Sequence, residues 1–524
     1  MTVTGPAIQK LTILGRSRAE VPSKDDILVG KDLLELLTRA MYVDPLAIYR
    51  EYVQNATDAI EEARRQGMLA SNEAGRIDLH VGLSERTIRI RDNGASIPRA
   101  HFLHRLLAIG LSSKRGKGLR GFRGIGRLAG LGYCQELLFR GRSTAREPVT
   151  EISWDARRLR ELLNSDSAVH DLRTAVSEIA TVNRSSGGSW PPRFFEVELR
   201  KVLRIKNDVL INPEAVREYL SQVAPVPFQT DFEYGDRIED FLLKHGVGEV
   251  VELTIDGGAT VRRPHQSAFV LTPKITDRFC GVRLFEVPGL DGGLDAAGWV
   301  LDHSYLGAIP KRLNIAGLRV RAGNIQIGES NILADLFTEP RFNSWSVGEF
   351  HVLNKKILPN GRRDEFEHSS HYSNLQSHIA TIATEISRTC RARSASRNFL
   401  KATKHNLQKI ENDLVVARSI PHSFPFRRRH LSALSKLIRK QEINIEKKLA
   451  DTTQRGELLN RIIKLRREVE RLSSDRSNGT LLKRLTPAKK KAYSEVLSAV
   501  YEVASDVSVA HGYVNKILRR LRAK

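Results

Sequence analysis

Residues 33–60 read LLELLTRAMYVDPLAIYREYVQNATDAI. Apolar positions recur three and four residues apart, which predicts helix from about Lys31 to Arg65. A break at Val43-Asp44-Pro45 divides it, because an N-cap aspartate followed by proline at the first helical position starts a new helix. On that second helix Glu51, Asn55 and Asp58 stand at i, i+4 and i+7. At about 100° per residue they fall within about 60° of one another, on one face. Two acids and an amide on one face are not what a core needs, since a buried unpaired carboxylate is costly. The face is either exposed polar surface or a place where a ligand is held. Ala56 and Ala59 beside it are small enough for a ligand or a sheet to come close.

Downstream, RIDLHV (Arg76–Val81) and TIRIR (Thr87–Arg91) alternate apolar and polar residues, which predicts two strands. Asp92-Asn93-Gly94 follows directly. A carboxylate at a strand end before a glycine turn can accept a hydrogen bond from a ligand amino group, and the same three residues also make an ordinary turn. Helical pattern returns over 101–111. A stretch rich in Gly, Ser, Lys and Arg then ends in Gly121-Phe122-Arg123-Gly124-Ile125-Gly126, with Ser112, Ser113 and Lys114 ahead of it. Closely spaced glycines let backbone N–H groups converge on phosphate oxygens. No GxxxxGK[ST] is present, and the glycine stretch follows a helix rather than a strand, which disfavours P-loop and dinucleotide-binding architectures. Further strands are expected at 135–140, 149–154 and 194–199, mixed strands and short helices over about 206–370, and almost continuous helix from about 371.

The order E-x-x-x-N-A-x-D-A at 51–59, D-x-G at 92–94 and GxxGxG at 121–126 resembles the GHKL ATPases, which include gyrase B subunits, heat-shock-90 chaperones, histidine kinases and MutL proteins. The quoted stretch, with Arg50 just before Glu51, is most similar to the heat-shock-90 branch. The resemblance implies an α/β fold: a two-layer α/β sandwich of the Bergerat type, then an α/β transducer domain. It implies ATP and Mg²⁺ as ligands and hydrolysis of ATP. Glu51 would be the general base, and Asn55 would hold Mg²⁺. Asp92 would accept from the adenine amino group, with Asp58, Ala59, Gly94 and Ile97 around it. Gly121, Gly124 and Gly126 would form the phosphate-side loop, with Lys114 in a mobile lid. Ser189, after Gly188, stands where the family carries a Gly-Thr pair on a strand. The pattern departs at Ser96, where the family often has glycine. The segments PKRLNIAGLRVRAGNIQIG (310–328) and FNSWSVGEFHVLNKKILPNGRRDEF (342–366) look like the transducer, whose basic residue would reach the terminal phosphate. Arg363 and Lys311 are the candidates, with Arg362 as competitor. By the same resemblance the chain would be a clamp that dimerises and acts on a protein client.

The 524 residues carry a net charge of +24, with 41% hydrophobic and 27% charged residues. That balance excludes a mostly disordered or fibrous chain. The charge is uneven. From residue 391 onward about 32 Lys and Arg face about 12 Asp and Glu, so the preceding residues are nearly neutral. A basic helical region attracts a polyanion or is simply a solvated face. This leaves a second reading open, a nucleic-acid-associated ATPase in DNA repair or in defence against foreign DNA. Leu458, Ile462, Leu465, Val469 and Leu472 step by four and three, a coiled-coil seam, and Leu400, Leu407 and Leu414 hint at another. Either seam closes within the chain or between copies. Cys134, Cys280 and Cys390 are far apart, which argues against a disulfide framework or a zinc finger. No apolar run approaches the ~18–20 residues of a membrane span, and no secretory signal is evident, so a cytoplasmic, non-membrane protein is expected. The expected division is an arm over 1–25, an ATP-binding domain over 26–205, a transducer over 206–370 and a basic helical region over 371–524.

Overall fold

The computed structural model describes residues 44–70, 72–108, 126–164, 172–186, 189–248, 250–422, 424–449, 452–475 and 486–522. It is a mixed α/β chain that divides into one unit through Glu385 and a second from Ile386. In the first unit helix α1 runs Ala47–Arg65 with Leu46 at its N-cap, two residues later than the expected cap at Asp44, whose Oδ1 accepts from the Leu46 N–H at 3.1 Å in the turn before the helix. Strands β1 (Arg76–Gly82) and β2 (Thr87–Asp92) form a hairpin, and α2 (Arg99–Leu107) follows. After a 3₁₀ helix (Gly126–Gly132) come β3 (Glu136–Arg142), β4 (Val149–Asp155), α3 (Ala156–Asn164), α4 (Leu172–Ile179), β5 (Ala180–Ser185) and β6 (Phe194–Arg200). Helices α5 (Pro213–Val223) and α6 (Gly235–Lys244) lead to β7 (Glu252–Ile255). Among the described residues these strands make a seven-stranded sheet ordered β5-β4-β3-β6-β2-β1-β7, antiparallel except for β1 with β7. Its inner face, with Ile77, Ile90, Leu137 and Leu199, shares one core with Tyr49, Val53 and Ile60 of α1.

The hairpin of β8 (Ala268–Thr272) and β9 (Ile275–Arg278) precedes a second sheet. That sheet takes β10 (Gly281–Pro288), β11 (Leu294–Asp302), β12 (Gly317–Ala322), β13 (Ile325–Ile327) and β14 (Val347–Val352) in the order β10-β11-β14-β12-β13. Helix α7 (Ser370–Ser419) begins in the first unit.

The second unit holds the rest of α7, then α8 (Pro425–Lys448), α9 (Thr452–Ser474), α10 (Pro487–Val503) and α11 (Val507–Arg522). Ion pairs give the helix directions. Glu411 meets Arg461 at 2.6 Å and Arg418 meets Glu468 at 2.8 Å, so α7 and α9 run the same way. Arg427 with Asp475, and Glu442 with Arg466, set α8 antiparallel to α9. The seam of Leu458, Ile462, Leu465, Val469 and Leu472 is buried in one core with Leu407, Leu414, Leu434 and Ile438, so these positions pack within the chain. No helix among the described residues is long and apolar enough to cross a membrane.

The second sheet buries charge. Arg319 and Arg321 of β12 pair in register with Glu349 and His351 of β14, and all four are inaccessible. Glu349 takes Arg263 at 2.7 Å and Arg321 at 2.9 Å. Arg321 also donates to the carbonyls of Val223, Ala224 and Gln222, and Arg263 to that of Val226 at 3.0 Å. Val223, Ala224 and Val226 belong to the core of the first sheet, so the guanidinium groups staple the two sheets together. The arginines hold the Glu349 carboxyl well below the usual range, and burial pushes His265 down to about 3 and His351 to about 4. An unfolded histidine protonates near 6.5, so between about 6.5 and 4 the unfolded chain binds more protons than the folded one. The stability these two histidines contribute is therefore complete above about pH 6.5 and is lost as pH falls through that window, outweighing the single buried Asp92, whose raised pKa acts in the opposite direction. The thermal midpoint should hold between pH 8 and 7 and drop steadily towards pH 5. His265→Phe should make the drop shallower. A midpoint unchanged down to pH 5 would contradict the buried neutral imidazoles.

Candidate functional site

Helix α1 presents Glu51, Asn55 and Asp58 towards the molecule rather than to water. Glu51 and Asp58 are buried and Asn55 is half-buried, so this is not an exposed polar face. Glu51 Oε1 lies 2.8 Å from Arg363 Nε, with both side chains about one-tenth exposed or less. Arg363 comes from the loop after β14, across more than three hundred residues of sequence. The loop is closed by a bridge between Pro359 and Phe366. Arg363 itself has φ +59°, which L residues avoid. Its N–H donates to the Asn360 carbonyl at 3.2 Å, and its carbonyl accepts from Gly328 at 2.9 Å. Arg50, buried next to Glu51, donates to the carbonyls of Arg362 at 2.9 Å and Arg363 at 3.4 Å. Two adjacent residues of α1 thus grip one loop, one through its side chain and the other through its backbone. Of the basic candidates, Arg363 is on Glu51. Arg362 is exposed, and Lys311 is exposed in the 3₁₀ turn Lys311–Leu313 without an ion pair among the described residues.

Gly126, the last glycine of the third motif, opens the 3₁₀ helix directly over Glu51, and a Cβ placed there would strike the Glu51 carboxylate. The Tyr52 hydroxyl fixes this helix to α1, accepting from Gly130 N–H at 2.9 Å and donating to the Arg127 carbonyl at 3.2 Å. Gly121, Gly124 and Lys114 lie outside the described residues.

The second motif packs against the same helix. Asp92 is the last residue of β2 and is buried. Its Oδ1 accepts from the Gly94 N–H at 2.9 Å. Burial pushes the Asp92 carboxyl up to about 7, against the Gly94 hydrogen bond and the nearby Arg193 charge. A Cβ on Gly94 would come within 2.5 Å of the Ala59 carbonyl carbon and 2.7 Å of Ala59 Cβ. The Ala95 N–H donates to the Ala59 carbonyl at 2.9 Å. The small residue at 59 therefore admits the turn that follows β2. Ile97 is half-buried against the same core. Ser96, where the family pattern has glycine, has φ +60° and keeps that conformation while its hydroxyl donates to the Phe194 carbonyl at 2.8 Å. The backbone demand for glycine is real, and serine meets it through a hydrogen bond. Ser189 is exposed and stands ahead of β6 rather than on a strand.

Arg193 was not legible as a site residue. Its guanidinium donates to the carbonyls of Gly94 at 3.0 Å, Asn93 at 3.2 Å and Met68 at 2.6 Å, clamping the turn that carries Asp92. An arginine after two prolines gives no motif. The signal was the strand that it introduces, β6, which pairs Phe195 with Asp92.

A stretch of 69 residues, 12% of the chain, is 36% identical to the chaperone protein HtpG of Fusobacterium nucleatum subsp. nucleatum. It spans 11% of that relative's length, so the likeness is local. No family model matches the chain.

Two glycine substitutions test these close approaches. Gly94→Ala sets a methyl against helix backbone and should cost about 1–3 kcal/mol of stability. Gly126→Ala presses on the Glu51 carboxylate, which is buried and paired with Arg363, so it too should cost about 1–3 kcal/mol. Chemical unfolding of both variants checks this, and unchanged stability in either would contradict it.

Proposed function

We propose that this chain is an ATP hydrolase of the GHKL kind that works as a nucleotide-driven clamp, most similar to heat-shock-90 chaperones and acting on a protein client. One observation carries the reading. Glu51, Gly126 and Arg363, from three distant parts of the sequence, meet at one buried point, and the helix that brings Glu51 also packs on the turn of Asp92. The local likeness to a chaperone supports it.

In this reading Asp92 accepts a hydrogen bond from the adenine amino group, and Gly94, Ala59, Asp58 and Ile97 shape the pocket around it. Glu51 orients the attacking water and takes its proton. The half-buried Asn55 amide, one turn from Glu51, has the oxygen and the position to hold Mg²⁺, which would neutralise charge on the phosphates when bound. Arg363 is the cation for the transferring phosphoryl group. The ion pair occupies the Glu51 carboxylate, so it must open before Glu51 can meet the water, with the guanidinium moving from carboxylate to phosphate. Lys114, Gly121 and Gly124 complete the phosphate side of the proposal. Closure is proposed to join two copies, and light scattering with a non-hydrolysable ATP analogue should then show a dimer.

Glu51→Ala should bind ATP with an affinity within about threefold of the parent and lose turnover by about 10² or more. Normal hydrolysis by this variant would remove Glu51 from the role of base. Asp92→Asn should lose nucleotide binding.

The Asp92 carboxyl also gives a pH signature. Adenine binding favours the ionised acceptor, and the free group titrates at about 7. ATP affinity should therefore be flat above pH 7 and weaken below it, by up to about tenfold per pH unit. Calorimetric titrations between pH 8 and 6 read this directly, and affinity that rises on acidification would contradict it.

A further inference from the structure

In the second unit five acids are taken up in ion pairs with arginines. Glu411, Glu468, Glu442 and Asp475 pair with arginines of neighbouring helices, and Glu502 pairs with Arg429. The apolar side of α8, with Leu431, Leu434, Ile438 and Ile445, is buried in the core. The outer side carries Arg428, Lys436, Arg439, Lys440 and Lys447, all exposed and none in an ion pair among the described residues. At about 100° and 1.5 Å per residue these fall within about 120° of one another along about 28 Å of helix. Glu446 is the single exposed carboxylate on that side, near its end.

We propose that this face of α8 binds the phosphate backbone of a nucleic-acid duplex without reading its sequence. The charge complementarity is specific in form. A duplex carries one negative charge per about 1.7 Å of axis, so a straight row of cations on a supported helix meets many phosphates at once. The row lacks aromatic side chains, so it has no platform for stacking the bases of a single strand. Ile443 among these cations and Leu437 beside them are exposed, but two isolated apolar side chains do not make the continuous apolar side with which a helix enters a lipid bilayer. The proposal does not rest on the ATPase reading.

The test uses the full chain and a fluorescently labelled 20-base-pair DNA duplex of arbitrary sequence, with anisotropy followed from 50 to 300 mM salt. The unmodified chain should bind, and log affinity should fall linearly with log salt, by about 0.9 per phosphate contacted. Lys436→Ala/Arg439→Ala/Lys440→Ala should lose at least tenfold in affinity at 150 mM salt and reduce the slope by about 2–3. Lys436→Arg/Arg439→Lys/Lys440→Arg should bind as the unmodified chain does, since charge and not shape is read. Circular dichroism of both variants reports the fold, which exposed substitutions leave intact. Absence of duplex binding overturns the proposal, as does an alanine variant with unchanged affinity and slope. Binding to vesicles containing phosphatidylserine with none to the duplex overturns it too, and assigns the face to lipid.

Discussion

The ion pair between Glu51 and Arg363 is the contact on which the geometry of the first unit turns. Both groups are buried, and each without the other would be a desolvated charge. Such a pair persists only if both ends are held. Glu51 is held by helix α1, which begins at Ala47. Arg363 is held by a left-handed residue in a closed loop, by Gly328, and by Arg50 gripping the backbone from the other side. The two ends sit on different sheets, so the sheets must also be fixed. Arg263 and Arg321 do this from inside the second sheet, through carbonyls in the segment between Gln222 and Val226. The buried arginines thus explain how a contact made by side chains so far apart in sequence can be held.

Local periodicity carried most of the legible structure. Helix α1, both strands of the first hairpin, and β3, β4 and β6 follow from alternation within a few residues. Their observed limits differ from the expected ones by a residue or two, as strand ends usually do. The segment at 180–185 had no such pattern: most of its residues are exposed, so no apolar alternation marks it as strand β5. Strand β7 was not expected either; its sheet partner among the described residues, β1, is parallel and far away in sequence. In GLRVRA (317–322) arginines alternate with apolar residues. In the structure both faces are buried: Arg321 meets Glu349 and backbone carbonyls, and Arg319 donates to Gln326 Oε1 at 3.2 Å and to the Asn314 carbonyl at 2.6 Å. Sequence shows where charge is, and only the fold shows whether water can reach it.

The same limit governs the candidate site. Spacing placed Glu51, Asn55 and Asp58 on one face but left open whether that face was wet or buried. Close approach settles it, and close approach is written in small residues. Gly94 and Ala59 let a turn and a helix touch backbone to backbone, and Gly126 leaves room over Glu51. Ser96 shows that the constraint is on backbone conformation rather than on residue type. A left-handed residue is needed there, and a hydroxyl bonded to the Phe194 carbonyl holds serine in that state. Arg193 has the opposite character. It acts at a distance in sequence through main-chain carbonyls, which no side-chain motif encodes.

The second unit follows a simpler economy. Its seam positions are apolar because they are buried, and several of its acids pair with arginines of neighbouring helices. The exposed cations of the outer side of α8 take no part in those pairs among the described residues. Exposed lysines and arginines beyond those a bundle needs repel one another, and in a compact unit that repulsion opposes folding. Their excess on one side of α8 is therefore a cost that the bundle itself does not explain, and an external anion would relieve it.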